Sequence, residues 1–277
     1  MPELAEVETF KRQLEPVLLN QRIVSINLYH QRSTRRHPDK EKFIEEVQGK
    51  VVNQISRYGK YLTFHLSSGN YLNVHLRMSG RFLMYESSNF DLSNCPKHSH
   101  VIIQTQKDAI VFIDPRTFGE FWLTNSPTPE LEKGIDAFDS TEAQVRDKIL
   151  ERSWSKRPIK AILLDQNILS GIGNIYADEA LYRARIHPSR ETGSLTQPET
   201  ACLRDAIRVV LSEGLERKGT TLSDYRDANG DAGTNAANLR VYGHGGIGIC
   251  EVCGSTLVRI VVVQRGTTIC PVCQPAG

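Results

Sequence analysis

Cys250-Glu251-Val252-Cys253 and Cys270-Pro271-Val272-Cys273, separated by sixteen residues, decide how the end of this chain folds. Two CxxC knuckles flanking a strand-turn-strand segment bring four thiolates together, and a tetrahedral site of four sulfurs is a structural zinc site. Disulfides are the competing reading. They are disfavoured by a charged N-terminus without a secretory apolar region, which sets the expectation of a reducing, cytoplasmic location. One structural Zn2+ on Cys250, Cys253, Cys270 and Cys273 is therefore expected, with no organic cofactor, while Cys95 and Cys202 read as ordinary thiols. Between the knuckles, Thr256–Val263 and Thr267–Ile269 read as strands around a turn at Gln264-Arg265-Gly266. That turn puts Arg265 at the tip of a zinc-held hairpin, where a guanidinium suits phosphate contact.

Upstream, residues 220–240 are rich in Gly, Ala, Asn and Asp, have little to bury, and read as a flexible loop or a substrate-covering lid. Before it the periodicity is helical over Ser140–Arg152, Ile159–Asp165, Tyr176–Ala184 and Gln197–Arg217. Leu169-Ser170-Gly171-Ile172-Gly173-Asn174 interrupts these helices, and its glycines let backbone amides approach a phosphate or simply make a tight connection. Pro127 and Pro129 mark the end of a region of short β-rich runs. The runs are Arg22–Tyr29, Lys50–Ser56, Tyr61–Leu66, Tyr71–Leu76, Arg81–Tyr85, His100–Thr105, Ala109–Ile113 and Glu120–Leu123, with one helix at Lys40–Val47. An amphipathic helix over Pro2–Leu19, with Leu4, Val7, Phe10, Leu14 and Val17 on one face, precedes them. The expectation is an α+β multidomain chain: an antiparallel β-sandwich at 1–130, helices at 131–219, the loop at 220–240 and the zinc module at 241–277.

The 277 residues carry 34 Lys+Arg against 32 Asp+Glu, a net charge of +2 that announces no polyanion partner by itself. Distribution says more, since from Arg240 onward Arg240, Arg259 and Arg265 face Glu251 alone. No apolar run is long enough to span a bilayer, and no membrane partner is expected.

Pro2 and Glu3 carry the candidate chemistry. Loss of Met1 would leave Pro2 as a secondary α-amine, with a pKa of about 7.7–8.0 against about 10.4 for lysine, so it is partly nucleophilic at neutral pH. Attack on an electrophilic carbon gives an iminium, and an adjacent carboxylate can move the protons. The competing reading is an ordinary helix start, with proline in the first turn and acids favoured by the dipole.

Taken in order, Pro2-Glu3-Leu4-Ala5-Glu6-Val7-Glu8, Arg57-Tyr58-Gly59-Lys60-Tyr61-Leu62, His75-Leu76-Arg77-Met78-Ser79-Gly80, Asp114-Pro115-Arg116-Thr117-Phe118-Gly119, Gly171-Ile172-Gly173-Asn174-Ile175-Tyr176-Ala177-Asp178-Glu179 and Gln264-Arg265-Gly266 resemble the formamidopyrimidine-DNA glycosylase and endonuclease VIII family, more closely its formamidopyrimidine branch. The resemblance covers nearly the whole chain. It implies a β-sandwich, a helix-two-turn-helix domain and a zinc finger, with double-stranded DNA in the cleft between them. It also implies a monomeric enzyme of base excision repair that removes oxidised purines and cleaves the strand at the resulting or pre-existing abasic site.

On that resemblance Pro2 attacks C1′ to form a Schiff base and Glu3 supplies a proton. Lys60 and Arg265 match positions assigned to β,δ-elimination and also suit phosphate binding. Met78, Arg116 and Phe118 match a trio that fills the void left by a flipped base, which needs apolar, aromatic and hydrogen-bonding replacements for lost stacking and pairing. Met78 and Phe118 as core side chains at strand ends are the competing reading. His75, His98, Arg116, Lys156 and Asn174 are the remaining DNA-binding candidates, orienting the duplex without reading its sequence. Lys156 reads equally as a solvated helix start and His98 as a structural histidine.

Two departures stand out: Ala5 replaces a second proline, and Gly233-Thr234-Asn235 occupies the middle of the loop where aromatic residues are common. The second leaves base selection to a loop of small residues, expected to cap the lesion. Two alternatives stay open: an endonuclease VIII-like enzyme for oxidised pyrimidines, and a zinc protein that binds damaged DNA without cutting it.

Overall fold

The computed structural model describes residues 1–126 and 134–276. Pro127 and Pro129, and the boundary drawn at 130/131, lie outside the described residues. The chain forms two compact units, one of Met1–Leu131 with Arg217–Thr234, the other of Glu132–Glu216 with Asn235–Gly277.

The first unit opens with α1 (Leu4–Leu18) and β1 (Ser25–Leu28), followed by α2 (Lys40–Val47). Strands β2 (Val52–Tyr58), β3 (Tyr61–Leu66), β4 (Tyr71–His75), β5 (Arg81–Glu86), β6 (Ser99–Gln104), β7 (Asp108–Ile113) and β8 (Glu120–Thr124) follow. They make two antiparallel four-stranded sheets, ordered β1-β6-β7-β5 and β2-β3-β4-β8. Val7, Phe10 and Leu14 of α1 share one core with Ile55, Leu62 and Val74 of one sheet and Phe82, Ile103 and Phe112 of the other. Alternation along each strand fills this layer, and each such side chain contributes roughly 1.5–3 kcal/mol on burial. The predicted sandwich with its N-terminal helix is thus present.

The 217–234 segment is anchored despite its small residues. The Asp227 carboxylate is buried, accepts the backbone N–H groups of Asn229 (3.0 Å) and Asp231 (2.9 Å), and receives Gln13 Nε2 of α1 at 2.7 Å. Ala228 joins the core, and its carbonyl accepts the Met84 N–H at 2.9 Å. Leu222 remains exposed.

The second unit contains β9 (Ile135–Asp136), α3 (Glu142–Ile149), α4 (Ile159–Leu164), β10 (Leu169–Ser170), α5 (Asn174–Arg183) and α6 (Gln197–Glu216), then β11 (Val258–Val262) and β12 (Arg265–Ile269). β9 and β10 pair in parallel, and β11 and β12 form an antiparallel hairpin. Helix α5 packs on α4, α6 and β12. Gly214 permits the α5–α6 approach: a Cβ there would lie 2.3 Å from the Tyr176 hydroxyl. Among the described residues no helix is long and apolar enough to cross a membrane.

The hairpin turn starts one residue and ends two residues earlier than the sequence reading expects. Val262 pairs with Arg265, and Val263 (φ +46°) and Gln264 (φ +59°) make the two-residue turn. Arg265 is therefore the first residue of β12.

Candidate functional site

Pro2 and Glu3 are both buried at the mouth of α1. The Glu3 N–H donates to Glu6 Oε2 at 2.8 Å, and Glu6 Oε1 accepts the Thr220 N–H at 2.8 Å. One carboxylate thus ties the N-terminal backbone to the 217–234 segment. Pro2 nitrogen is an amide while Met1 is attached; removal of Met1 makes it a secondary amine beside a buried acid.

Lys60 lies buried at the β2–β3 turn, after Gly59 at φ +54°. Arg57 of β2 donates from Nε to Glu8 Oε2 at 2.8 Å and from Nη1 to the Gly59 carbonyl at 3.3 Å. The lysine turn is in this way braced against α1. Antiparallel pairing sets His75 opposite Tyr61, next to Lys60. Burial first, then the charges of Arg77, Lys60, Arg36 and Arg35, push the His75 pKa down to about 3. The ring is neutral, and because Nδ1 accepts the Arg77 N–H at 2.9 Å, Nε2 carries the proton. His75 offers a neutral donor.

Met78 and Phe118 are 42% and 38% exposed, which removes the core reading for both. Arg116 is exposed as well, its guanidinium 5.8 Å from the Phe118 ring centre. Arg35 Nη2 donates to the Phe118 carbonyl at 3.2 Å while its Nε pairs with buried Glu120 at 2.7 Å. Glu120 also receives Arg77 at 2.7 Å. His98 is exposed in a left-handed turn (φ +66°), and its carbonyl accepts the Asp114 N–H at 3.0 Å.

In the second unit Asn174 opens α5, donating from Nδ2 to the Gly266 carbonyl at 3.0 Å. Its buried Oδ1 has no hydrogen-bond partner. Asn174, Tyr242, Arg259, Gln264, Arg265 and Gly266 line a cavity of about 460 Å³. Two guanidiniums and a helix N-terminus face it, an arrangement that attracts a phosphate. Asp178 also lines the cavity, and buried Lys160 offsets its charge. Lys160 Nζ pairs with Asp178 Oδ1 and donates to Thr267 Oγ1 at 2.7 Å, while Asp178 Oδ2 accepts the Thr268 N–H at 3.2 Å. Lys156 is exposed and does not line this cavity; its neighbour Arg157 pairs with Asp165 at 3.0 Å.

The four predicted cysteine ligands converge, every pair of their sulfurs lying within 4.8 Å. Cys250–Cys273 and Cys253–Cys270 are 3.8 and 3.4 Å apart. A tetrahedral Zn–S bond of about 2.3 Å requires sulfurs about 3.8 Å apart, so the donor set fits Zn2+. Ser255 Oγ lies 3.2 Å from Cys270 Sγ and Tyr182 Oη 3.2 Å from Cys250 Sγ, positions from which hydroxyls steady thiolates. Cys95 and Cys202 stand outside this cluster.

Sequence reasoning assigned no role to Glu6, Glu8, Arg57, Asp114, Glu120 or Lys160, although most of them lie inside the motifs. Each also has a partner distant in sequence, such as Arg57 for Glu8 and Ser79 for Asp114. Local signals exist for Glu6, three residues after Glu3 at the spacing of a capping box, and for Asp114, which accepts the N–H groups of Arg116 and Gly119 in its own motif.

Three family models match: "Formamidopyrimidine-DNA glycosylase N-terminal domain" over residues 1–121, "Formamidopyrimidine-DNA glycosylase H2TH domain" over 134–226, and "Zinc finger found in FPG and IleRS" over 250–276. Formamidopyrimidine-DNA glycosylase from Desulfitobacterium hafniense is 40% identical over 287 residues, covering 99% of this chain and 100% of the relative. The Herpetosiphon aurantiacus protein of the same name is 39% identical with 99% and 100% coverage. Among solved structures, a complex of Lactococcus lactis Fpg with abasic-site DNA aligns with a TM-score of 0.87 at 33% identity, covering 99% of this chain and 100% of that one. A Lactococcus lactis Fpg variant bound to Fapy-dG DNA gives the same values. With its sandwich, its helical domain and its four-cysteine module each matched in order and over full length, the chain belongs to the formamidopyrimidine-DNA glycosylase family.

Proposed function

We propose that this protein is a DNA glycosylase and abasic-site lyase of base excision repair, acting as a cytoplasmic monomer on chromosomal DNA. It removes oxidised purines, 8-oxoguanine and formamidopyrimidines, from the duplex. The observation that carries this reading is the pair Pro2–Glu3, buried at the start of α1 and braced by Glu6.

After loss of Met1, the Pro2 amine attacks C1′ of the flipped nucleotide and the base departs with the electrons of the glycosidic bond, taking up a proton. Glu3 protonates O4′ as the sugar ring opens, leaving an iminium at C1′. Loss of a C2′ proton expels the 3′-phosphate, a second elimination expels the 5′-phosphate, and water releases Pro2. Lys60 and Arg265 bind the flanking phosphates and assist proton movement in these eliminations. His75, His98, Arg116, Lys156 and Asn174 orient the duplex backbone. Met78, Arg116 and Phe118 fill the void, offsetting an extrusion cost of a few kcal/mol. The loop at 220–240, where Leu222 is exposed, caps the extruded base. Zn2+ holds the hairpin that presents Arg265 and takes no part in bond breaking.

Borohydride reduction with an 8-oxoguanine duplex tests the reading. Intact mass should show one covalent protein–DNA adduct on a chain lacking Met1, abolished by Pro2→Gly and by a retained Met1. No adduct with any oxidised or abasic duplex would sink it.

A further inference from the structure

We infer that the Asp114 carboxylate is a positioning group that locks Met78, Arg116 and Phe118 into one preformed wedge; the inference rests on the void-filling role proposed above. Asp114, the residue after β7, is fully buried. Oδ1 accepts the Ser79 hydroxyl at 2.5 Å and the Arg116 N–H at 3.3 Å, and Oδ2 accepts the Gly119 N–H at 2.6 Å. Ser79 Oγ in turn accepts the Arg116 N–H at 3.2 Å. One carboxylate therefore bonds to the turn that carries Met78 and to both sides of the loop that carries Phe118.

The two segments also rest on one ring. A Cβ on Gly80 would meet Phe112 Cζ at 2.7 Å, and one on Gly119 would meet the same atom at 2.4 Å. Each wedge segment further contains a left-handed residue that is not glycine, Arg77 (φ +57°) beside Met78 and Thr117 (φ +61°) between Arg116 and Phe118. Such conformations are disfavoured for L-residues and persist where the surroundings impose them. The buried carboxylate and the ring beneath it are those surroundings. Without the clamp the three side chains would have to be ordered during base extrusion.

The consequence is a substrate split. A lesion paired in a duplex needs the wedge; a single-stranded abasic site, with no partner to orphan, does not. Asp114→Asn keeps the shape of the side chain but replaces one acceptor with an NH2 group, and Ser79→Ala deletes one hydroxyl while leaving the carboxylate. Single-turnover excision from paired 8-oxoguanine should fall roughly 10- to 100-fold in Asp114→Asn, as misplaced working groups do. Ser79→Ala should fall less, and Ser79→Thr should restore the rate. Borohydride trapping on the single-stranded abasic site should stay close to the parent value in all of them. Equal rates on the paired lesion, or equal losses on both substrates, would overturn the inference, and if Asp114→Asn does not fold, the Ser79 pair decides alone. Met78→Ala and Phe118→Ala separate the two levels. If they spare the paired lesion, the void-filling reading fails; if they impair it and the Ser79 and Asp114 variants do not, only the clamp fails.

Discussion

Lys160→Met should destabilise the second unit by about 3–5 kcal/mol at pH 8, the cost of leaving one partner of a buried ion pair alone. The side chains of Lys160 and Asp178 are 0% and 1% exposed, so water cannot take over for the missing ammonium. Thr267 Oγ1 loses its 2.7 Å donor in the same substitution. Burial pushes the Asp178 carboxyl up to about 6 even with Lys160 opposing it. A folded pKa above the unfolded value of about 3.9 means that the favourable contribution is present at low pH and lost as pH rises through the folded value. Removing Lys160 deletes the opposing charge and raises that pKa further. The variant's penalty should therefore be full at pH 8 and shrink at pH 5.5, where Asp178 takes a proton. Asp178→Asn added to Lys160→Met should recover most of the loss at pH 8. At roughly 2–4 °C per kcal/mol for a unit of this size, the single variant melts about 6–20 °C lower. Urea unfolding followed by Trp154 fluorescence, with Trp122→Phe to silence the first unit, reads the second unit alone. A cost below about 1 kcal/mol at pH 8, or one unchanged at pH 5.5, would refute the reasoning.

Two further outcomes are expected. Elemental analysis should find one zinc per parent chain and none in Cys270→Ser, which should also lose hydrogen-exchange protection of β11 and β12, because the apolar cluster there is small and includes Cys250 and Cys270 themselves; protected strands in a zinc-free protein would contradict this. Replacing Val263-Gln264 by Asn-Gly should stabilise the hairpin by about 1–2 kcal/mol in urea unfolding, since both residues sit in the left-handed region and that pair favours the turn. No gain would mean that the valine turn is not strained.

Local signals located most elements. Helix α2 and strand β3 have the bounds that the pattern predicts, because Asp39 caps one and the Ser67-Ser68-Gly69-Asn70 turn closes the other. Helix α3 is shorter than its apolar periodicity, starting after Thr141, whose hydroxyl accepts the Gln144 N–H at 3.3 Å. The hairpin turn departs from its reading at Gln264-Arg265-Gly266 for a physical reason: a β-branched residue such as Val263 at positive φ goes against propensity. In the loop read at 220–240, composition indicates freedom, yet the structure anchors it at Asp227 and Ala228. Its anchor is Asp227 paired with Gln13, a contact 214 residues apart that no window can register. The candidate site divides the same way. Pro2, Glu3, Lys60 and the cysteines carry their chemistry in the motif itself, whereas Glu6, Asp114 and Asp178 also depend on partners from afar, namely Thr220, Ser79 and Lys160.

Met1 is 52% exposed while Pro2 behind it is buried. On the proposed chemistry, that makes maturation an irreversible licensing step taken once per molecule. On that chemistry a chain whose first residue is blocked or extended keeps the four-cysteine cluster and the phosphate-sized cavity but has no amine to attack C1′. Such a chain would act as a competitor that shields lesions from its processed siblings, so the ratio of trimmed to untrimmed molecules, rather than total abundance, sets repair capacity. For anyone producing the protein, an affinity handle belongs at the far end.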